Sequence, residues 1–240
     1  MLKDVESIET REGYDSQPLL IHCPPEVRTA FVKRVYSLLT LQLLFTGGVG
    51  ALFAFAPSGR QLGVKQLTPL CMGGGVGALI CACALIACKS KHPWNLLLLA
   101  LFTLCEATSL GALVSLYCSA GRGALVVGAL AATTLLFAGL SCYVHVTRRE
   151  FAFLNGLLAV GLFSLVAAGI VSLFAPSMLL ESMIASVGVV VFSGFVLYDT
   201  SELIHRMGPD DAVVAVVQLY LDFVNLFLSV LQVLNCSANE

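Results

Sequence analysis

Seven apolar runs of roughly twenty residues, set close together along the chain, decide most of what it can become. They cover residues 35–56, 67–88, 95–118, 124–146, 151–174, 179–200 and 212–234. Each is about as long as a helix must be to cross the ~30 Å hydrocarbon core of a bilayer. Inside that core a backbone satisfies its own polar groups only as a helix or as a closed barrel. The connections are short and carry breakers: Pro57-Ser58-Gly59, His92-Pro93, Gly121-Arg122-Gly123, Ala175-Pro176 and Gly208-Pro209. The expected fold is therefore all-α, a seven-transmembrane-helix bundle over residues 35–234. It is flanked by an N-terminal tail, 1–34, and a short C-terminal tail, 235–240.

Composition agrees. Only 12% of the residues are charged and 58% are hydrophobic, with a mean hydropathy of +0.91, whereas soluble domains are about a quarter charged. No basic stripe with interleaved aromatics exists, which excludes a nucleic-acid partner. The charges that remain are uneven. Lys3, Arg11, Arg28, Lys33, Arg34, Lys89, Lys91, Arg148, Arg149 and Arg206 fall on one side of seven alternating spans, and Arg60, Lys65 and Arg122 on the other. Ten against three, or eight against three without the distant Lys3 and Arg11, predicts a cytoplasmic N-terminus. Seven full spans put the C-terminus on the opposite side; a re-entrant last segment would return it.

The first 34 residues mix acids, Arg, Ser and Pro, lack the apolar stretch of a signal peptide, and read as a solvated, disordered tail. Within it, Asp15-Ser16-Gln17-Pro18-Leu19-Leu20 resembles an acidic dileucine sorting signal. Seven of the nine cysteines lie in or at the edge of apolar runs, where Cys behaves as a small hydrophobe. Cys81 and Cys83 are two apart, and no Cys-x-x-Cys pair occurs, so zinc and dithiol chemistry are not expected. Asn235-Cys236-Ser237 is a formal glycosylation sequon, expected to be unused so near the membrane surface.

The last run is the most informative. Gln218, Asp222, Asn225, Ser229 and Gln232 recur at spacings of 4, 3, 4 and 3, which places them on one helical stripe. A polar stripe on a spanning helix faces the bundle interior or a water-filled cavity, so this helix should be central. Interhelical hydrogen bonding explains Gln, Asn and Ser there. It explains Asp222 poorly, because an acid at mid-helix costs about 2.5–3.5 kcal/mol on insertion scales. Asp199 should lie about 10 Å below the surface if its helix runs to Arg206, and Asp222 about 16 Å, at 1.5 Å per residue. The two carboxyl groups are one helical turn apart in depth on consecutive helices and are expected to meet. Such a pair holds one proton between its members and titrates as a unit. Calcium, a hard cation, competes for the same oxygens. A proton shared merely as a structural staple is the bland alternative.

Glu106, on a face with Thr103 and Ser109, is a secondary pathway candidate, together with Asn225 and Gln218. Glu202 and Arg206 stand four apart in the favourable order, and His205, read as a surface-loop residue, is a candidate for tuning the site between pH 5 and 8. Gly73-Gly74-Gly75 with Gly77 lacks the strand and Lys-Ser/Thr of a phosphate loop and signals close helix packing.

Several blocks carry a family resemblance. Arg28, Phe31, Lys33-Arg34-Val35-Tyr36, Gln42 and Thr46; then His92-Pro93, Asn95, Phe102-Thr103, Glu106 and Gly111; then residues 192–200; then residues 219–227. In order, these resemble the Bax inhibitor / Lifeguard (transmembrane Bax inhibitor motif) family over residues 28–234. The compact form is similar to virus-encoded members, of cytomegalovirus type. The resemblance implies a calcium-leak channel of the endoplasmic reticulum or Golgi, with Asp199 and Asp222 as a pH-sensitive pair that binds Ca²⁺ transiently. It also implies lowered store calcium and protection from apoptosis. The dileucine-like segment adds an endolysosomal possibility. There are departures: Asp211-Ala212 stands where the family has Asp-Tyr, and Glu150 where Asp is common. The second span has no internal Lys or Arg to latch an aspartate, Lys89 and Lys91 lying just beyond it, and the basic C-terminal tail of some relatives is missing.

Two other classes compete. An intramembrane aspartyl protease would need Gly-x-Gly-Asp where Leu219-Tyr220-Leu221-Asp222 stands, so no enzyme is expected. A non-conducting scaffold that modulates apoptotic or calcium-handling membrane proteins is the alternative function. The expected partners are the lipid bilayer, Ca²⁺ and H⁺, with no cofactor beyond Ca²⁺ as the transported ion.

Overall fold

The computed structural model of the chain describes residues 23–55, 64–87, 94–208 and 211–239. It contains seven helices long and apolar enough to cross a membrane. They are α1 (Pro25–Phe55), α2 (Val64–Ala87), α3 (Trp94–Ser119), α4 (Gly123–Thr147), α5 (Asn155–Phe174), α6 (Met178–His205) and α7 (Ala212–Ser237), with a 3-10 turn, Ala152–Leu154, leading into α5. The seven-helix bundle expected from the apolar runs is what forms. The Asp15, Leu19 and Leu20 segment lies outside the described residues.

Most boundaries fall within a few residues of expectation, and α1 is the exception. It begins at Pro25, ten residues before the predicted start, so residues 25–34 are helix rather than solvated tail. Proline suits the first helical position because its missing N–H has no partner there, and Glu26 complements the positive end of the helix dipole. Phe31, Val35 and Leu39, each four residues on from the last, bury one continuous face through the charged stretch. Toward the other end of the chain, α6 continues past Thr200 to His205, and Arg206 caps it through its N–H to Glu202 O.

The bundle is arranged around α7. In its most apolar stretch 72% of the residues are buried, against 6% in the corresponding stretch of α5. Helix α7 packs on α6, α4 and α1, with lighter contact to α3 and α2; α2 and α3 pair intimately, and α5 rests chiefly on α6. The outward faces carry large apolar side chains such as Leu135, Phe163 and Leu173, suited to lipid. Without a hydrophobic drive between helices in lipid, close backbone approach supplies the attraction. At Gly74 a Cβ would stand 2.7 Å from Cys105 O, and at Gly188 2.6 Å from Ser229 Oγ. The glycine-rich run in α2 is thus a packing surface against α3.

Helix α4 ends in a left-handed turn. Arg148, at φ 52°, is the one non-glycine residue with positive φ among the described residues, and its N–H closes onto Val144 O at 2.8 Å.

Candidate functional site

Asp199 of α6 and Asp222 of α7 are each 6% exposed, and they are the only buried acids among the described residues. Their side chains stand close enough to act on each other. Two carboxylates brought together away from water repel each other, and a proton on one of them relieves that repulsion. Asp222 Oδ2 is buried and has no hydrogen-bond partner among the described residues. The meeting inferred from helical depth is what the bundle produces. It follows from α6 running to His205 and α7 returning beside it.

The neighbouring turns are apolar and buried: Val196, Leu219 and Leu226, three or four residues from the aspartates on their own helices, are all at or below 1% exposure. One polar edge adjoins the pair. Thr200, next to Asp199 and fully buried, faces Ser141 of α4, hydroxyl to hydroxyl at 3.5 Å. Tyr36 Oη of α1 sits beside both, and its ring meets that of His145 edge-on at 5.5 Å. Helices α1, α4 and α6 therefore meet at this polar cluster. Nothing in the spacing of the sequence alone joins Tyr36 to Ser141 and Thr200; its place in the block 33–36 was the available signal.

Over residues 28–239 the chain matches the sequence profile of a family described as Inhibitor of apoptosis-promoting Bax1. The chain belongs to the Bax inhibitor family. Mouse Protein lifeguard 4 is 38% identical over 208 residues, covering 87% of this chain and 85% of that protein. The Golgi anti-apoptotic protein of vaccinia virus (strain Lister) is 34% identical over 238 residues, 98% of this chain and 97% of that one. Bax inhibitor 1 of fission yeast is 30% identical over 219 residues, 91% and 80% of the two chains. Viral and cellular relatives match alike, so the expectation of a viral source gains no preference from them.

The other predicted residues of this Bax inhibitor family chain separate into groups. Glu106 is half-buried on α3 and lies near Tyr220. Tyr220 is two residues from Asp222, about 200° around an α-helix. Glu106 therefore stands across α7 from the aspartate pair. There Tyr220 Oη meets Thr46 Oγ1 of α1 at 2.8 Å, and Gln42 of α1 donates to Thr103 of α3. Asn225 and Ser229 do not bridge helices: Asn225 Nδ2 donates to Leu221 O at 2.8 Å, and Ser229 Oγ to Asn225 O at 2.9 Å. Gln218 is half-buried, with an Oε1 lacking a partner among the described residues.

His205 is not in a surface loop. It ends α6, is 9% exposed, and its Nδ1 bonds Ser201 O at 2.9 Å. The helix runs five residues further than its apolar stretch, which carries the ring inside. Glu202 lies close enough to Asp199 to act on its charge, and its Oε1 accepts Tyr198 Oη at 3.4 Å. Arg206 is exposed at the helix end. Among the described residues no group of three or more His, Cys, Asp and Glu could hold a metal ion. Two carboxyl groups fall short of the six to eight oxygens of a resident calcium site.

Arg122 was missed as a structural residue. From the α3–α4 turn its guanidinium donates to Asn235 Oδ1 and to Asn239 Oδ1, the latter at 2.7 Å, tying the far end of α7. Only its position opposite the C-terminal end of the last span hints at this in the sequence.

Proposed function

We propose that the chain is a pH-sensitive calcium-leak channel of intracellular membranes that lowers store calcium and so restrains apoptosis. The observation that carries this reading is the buried Asp199–Asp222 contact at the centre of a bundle built to cross a membrane. With one proton between them the carboxyl groups hold α6 against α7, and the constriction is closed. Loss of that proton leaves two like charges in low dielectric, which part or take up a cation. Protons and Ca²⁺ then compete for the same oxygens. Calcium is cargo here, and no cofactor is called for. Leu219 and Leu226, fully packed one turn to either side of Asp222, leave an extended peptide no room, which speaks against proteolysis.

The vaccinia relative's description as a Golgi anti-apoptotic protein supports a Golgi or endoplasmic reticulum setting and the protective role. The excess of Lys and Arg on one side supports a cytoplasmic N-terminus. Apoptotic or calcium-handling membrane proteins are the natural neighbours of such a leak.

The test is calcium efflux from proteoliposomes holding purified protein, scanned from pH 6 to 8. Flux should rise several-fold toward pH 8. Asp222→Asn should abolish it while the protein still inserts and stays monodisperse, and Asp199→Asn should remove its pH dependence. Absence of flux in folded wild-type protein overturns the channel and leaves the non-conducting scaffold.

A further inference from the structure

The end of the bundle where α1 begins and α4 stops holds a second polar feature, away from the aspartate pair. A cavity of about 260 Å³ is lined by Arg28, Thr29 and Lys33 of α1 and by His145 and Arg148 at the end of α4, with Ile204 of α6 behind. Among the described residues no carboxylate lines it; Glu26 lies on an adjoining groove with Lys33. Three fixed cations and an imidazole around one small volume repel one another, and an anion relieves that repulsion.

The placement is built by the fold. Arg148 sits in the left-handed turn that ends α4, and its Nε donates to His145 O at 3.2 Å, which holds the guanidinium at the cavity edge. Pro25, the first residue of α1, also lines the cavity, so the positive end of a 31-residue helix faces it. Arg28 is half-buried, while Lys33 and Arg148 are exposed, leaving the mouth open to the surface.

Depth argues for the kind of anion. At 1.5 Å per residue α1 is about 46 Å long, some 16 Å more than the ~30 Å hydrocarbon core. The surplus is its first ten residues, because the stretch without charged residues starts at Val35. Arg28 and Lys33 thus stand at the level of lipid phosphates. The volume is smaller than the ~300–1,000 Å³ of a typical drug-sized pocket and suits a headgroup. Arginine forks favour phosphate oxygens, and several cations match a phosphomonoester better than a headgroup of single charge.

The geometry points to a binding site for the phosphorylated headgroup of an anionic phospholipid, of the phosphoinositide kind, held by Arg28, Lys33 and Arg148. Such lipids are read by basic pockets at the cytoplasmic ends of spanning helices. The assignment rests on the cytoplasmic N-terminus proposed above, whereas binding in detergent reads the cradle without reference to orientation.

Native mass spectrometry of the full chain in detergent tests it. The probes are short-chain phosphatidylinositol 4-phosphate, phosphatidylcholine and soluble inositol 1,4-bisphosphate. The phosphoinositide should be retained about tenfold over phosphatidylcholine, and the Arg28→Gln/Arg148→Gln double variant should lose about tenfold, the scale expected for lost charge-assisted bonds. Arg149→Gln, an exposed residue outside the cavity lining, should retain it fully. If the double variant does not purify folded, Lys33→Gln alone should still weaken retention about threefold, about 0.65 kcal/mol. Equal retention of phosphatidylcholine, or an equal loss in Arg149→Gln, overturns the site. Binding of the soluble bisphosphate as tight as that of the lipid transfers the cradle to free phosphate esters and overturns the lipid assignment.

Discussion

Helices α5 and α7 are both long enough to span a bilayer, and α5 is the more apolar of the two. Yet α5 buries a single residue, Leu158, while α7 buries most of its length. In water the ranking would be reversed, since apolar surface is what leaves solvent. In lipid, apolar surface is already at home, and the helix that carries Gln218, Asp222 and Asn225 is the one that must be surrounded by protein. Polarity selects the interior here. The same logic puts the chemistry of the chain on α7 and leaves α5 as a facing to the bilayer.

Truncation gives the widest split between the two helices. Leu226→Ala on α7, at a fully buried position, should cost about 2–5 kcal/mol. Phe163→Ala on α5, 76% exposed, should stay within about 0.5 kcal/mol. Unfolding titrations in mixed micelles measure both, and equal losses would break the comparison. Enlarging a glycine should separate them next. Gly188→Leu on α6 drives a side chain into Ser229 of α7, whereas Gly169 on α5 has nothing within 4 Å of an added Cβ. The first should cost about 1–3 kcal/mol and the second nothing measurable by thermal unfolding. The smallest effect belongs to the end of α7. Arg122→Ala, which removes two hydrogen bonds to Asn235 and Asn239, should cost about 1 kcal/mol. Hydrogen exchange should show it as faster opening of the last turn alone.

How much of this is legible in the sequence depends on whether spacing or partner choice decides. Period and polarity suffice for the seven spans and for the central place of the last one. Rise per residue suffices for the depth match of Asp199 and Asp222. Charge misleads at the start of α1: Arg28, Lys33 and Arg34 read as solvated tail, although Phe31 and Val35 keep the buried face going among them. Spacing fixes the face on which Asn225 and Ser229 lie but not what they bond, and both turn to carbonyls of their own helix. It likewise cannot say on which side of α7 Glu106 arrives. His205 is hidden because a helix that outruns its apolar stretch carries a polar ring inward without changing the pattern before it.

The Arg122 fork has a practical consequence for experiments that map topology. Asn235 is the acceptor of the chain's Asn-Cys-Ser sequon, but it lies in the last turn of α7 with its amide oxygen held by a guanidinium. A glycosylating enzyme needs that amide extended and accessible. Asn235 should therefore remain unmodified in either compartment. A reporter sequon appended beyond Asn239, clear of the fork, reads the compartment of the C-terminus directly.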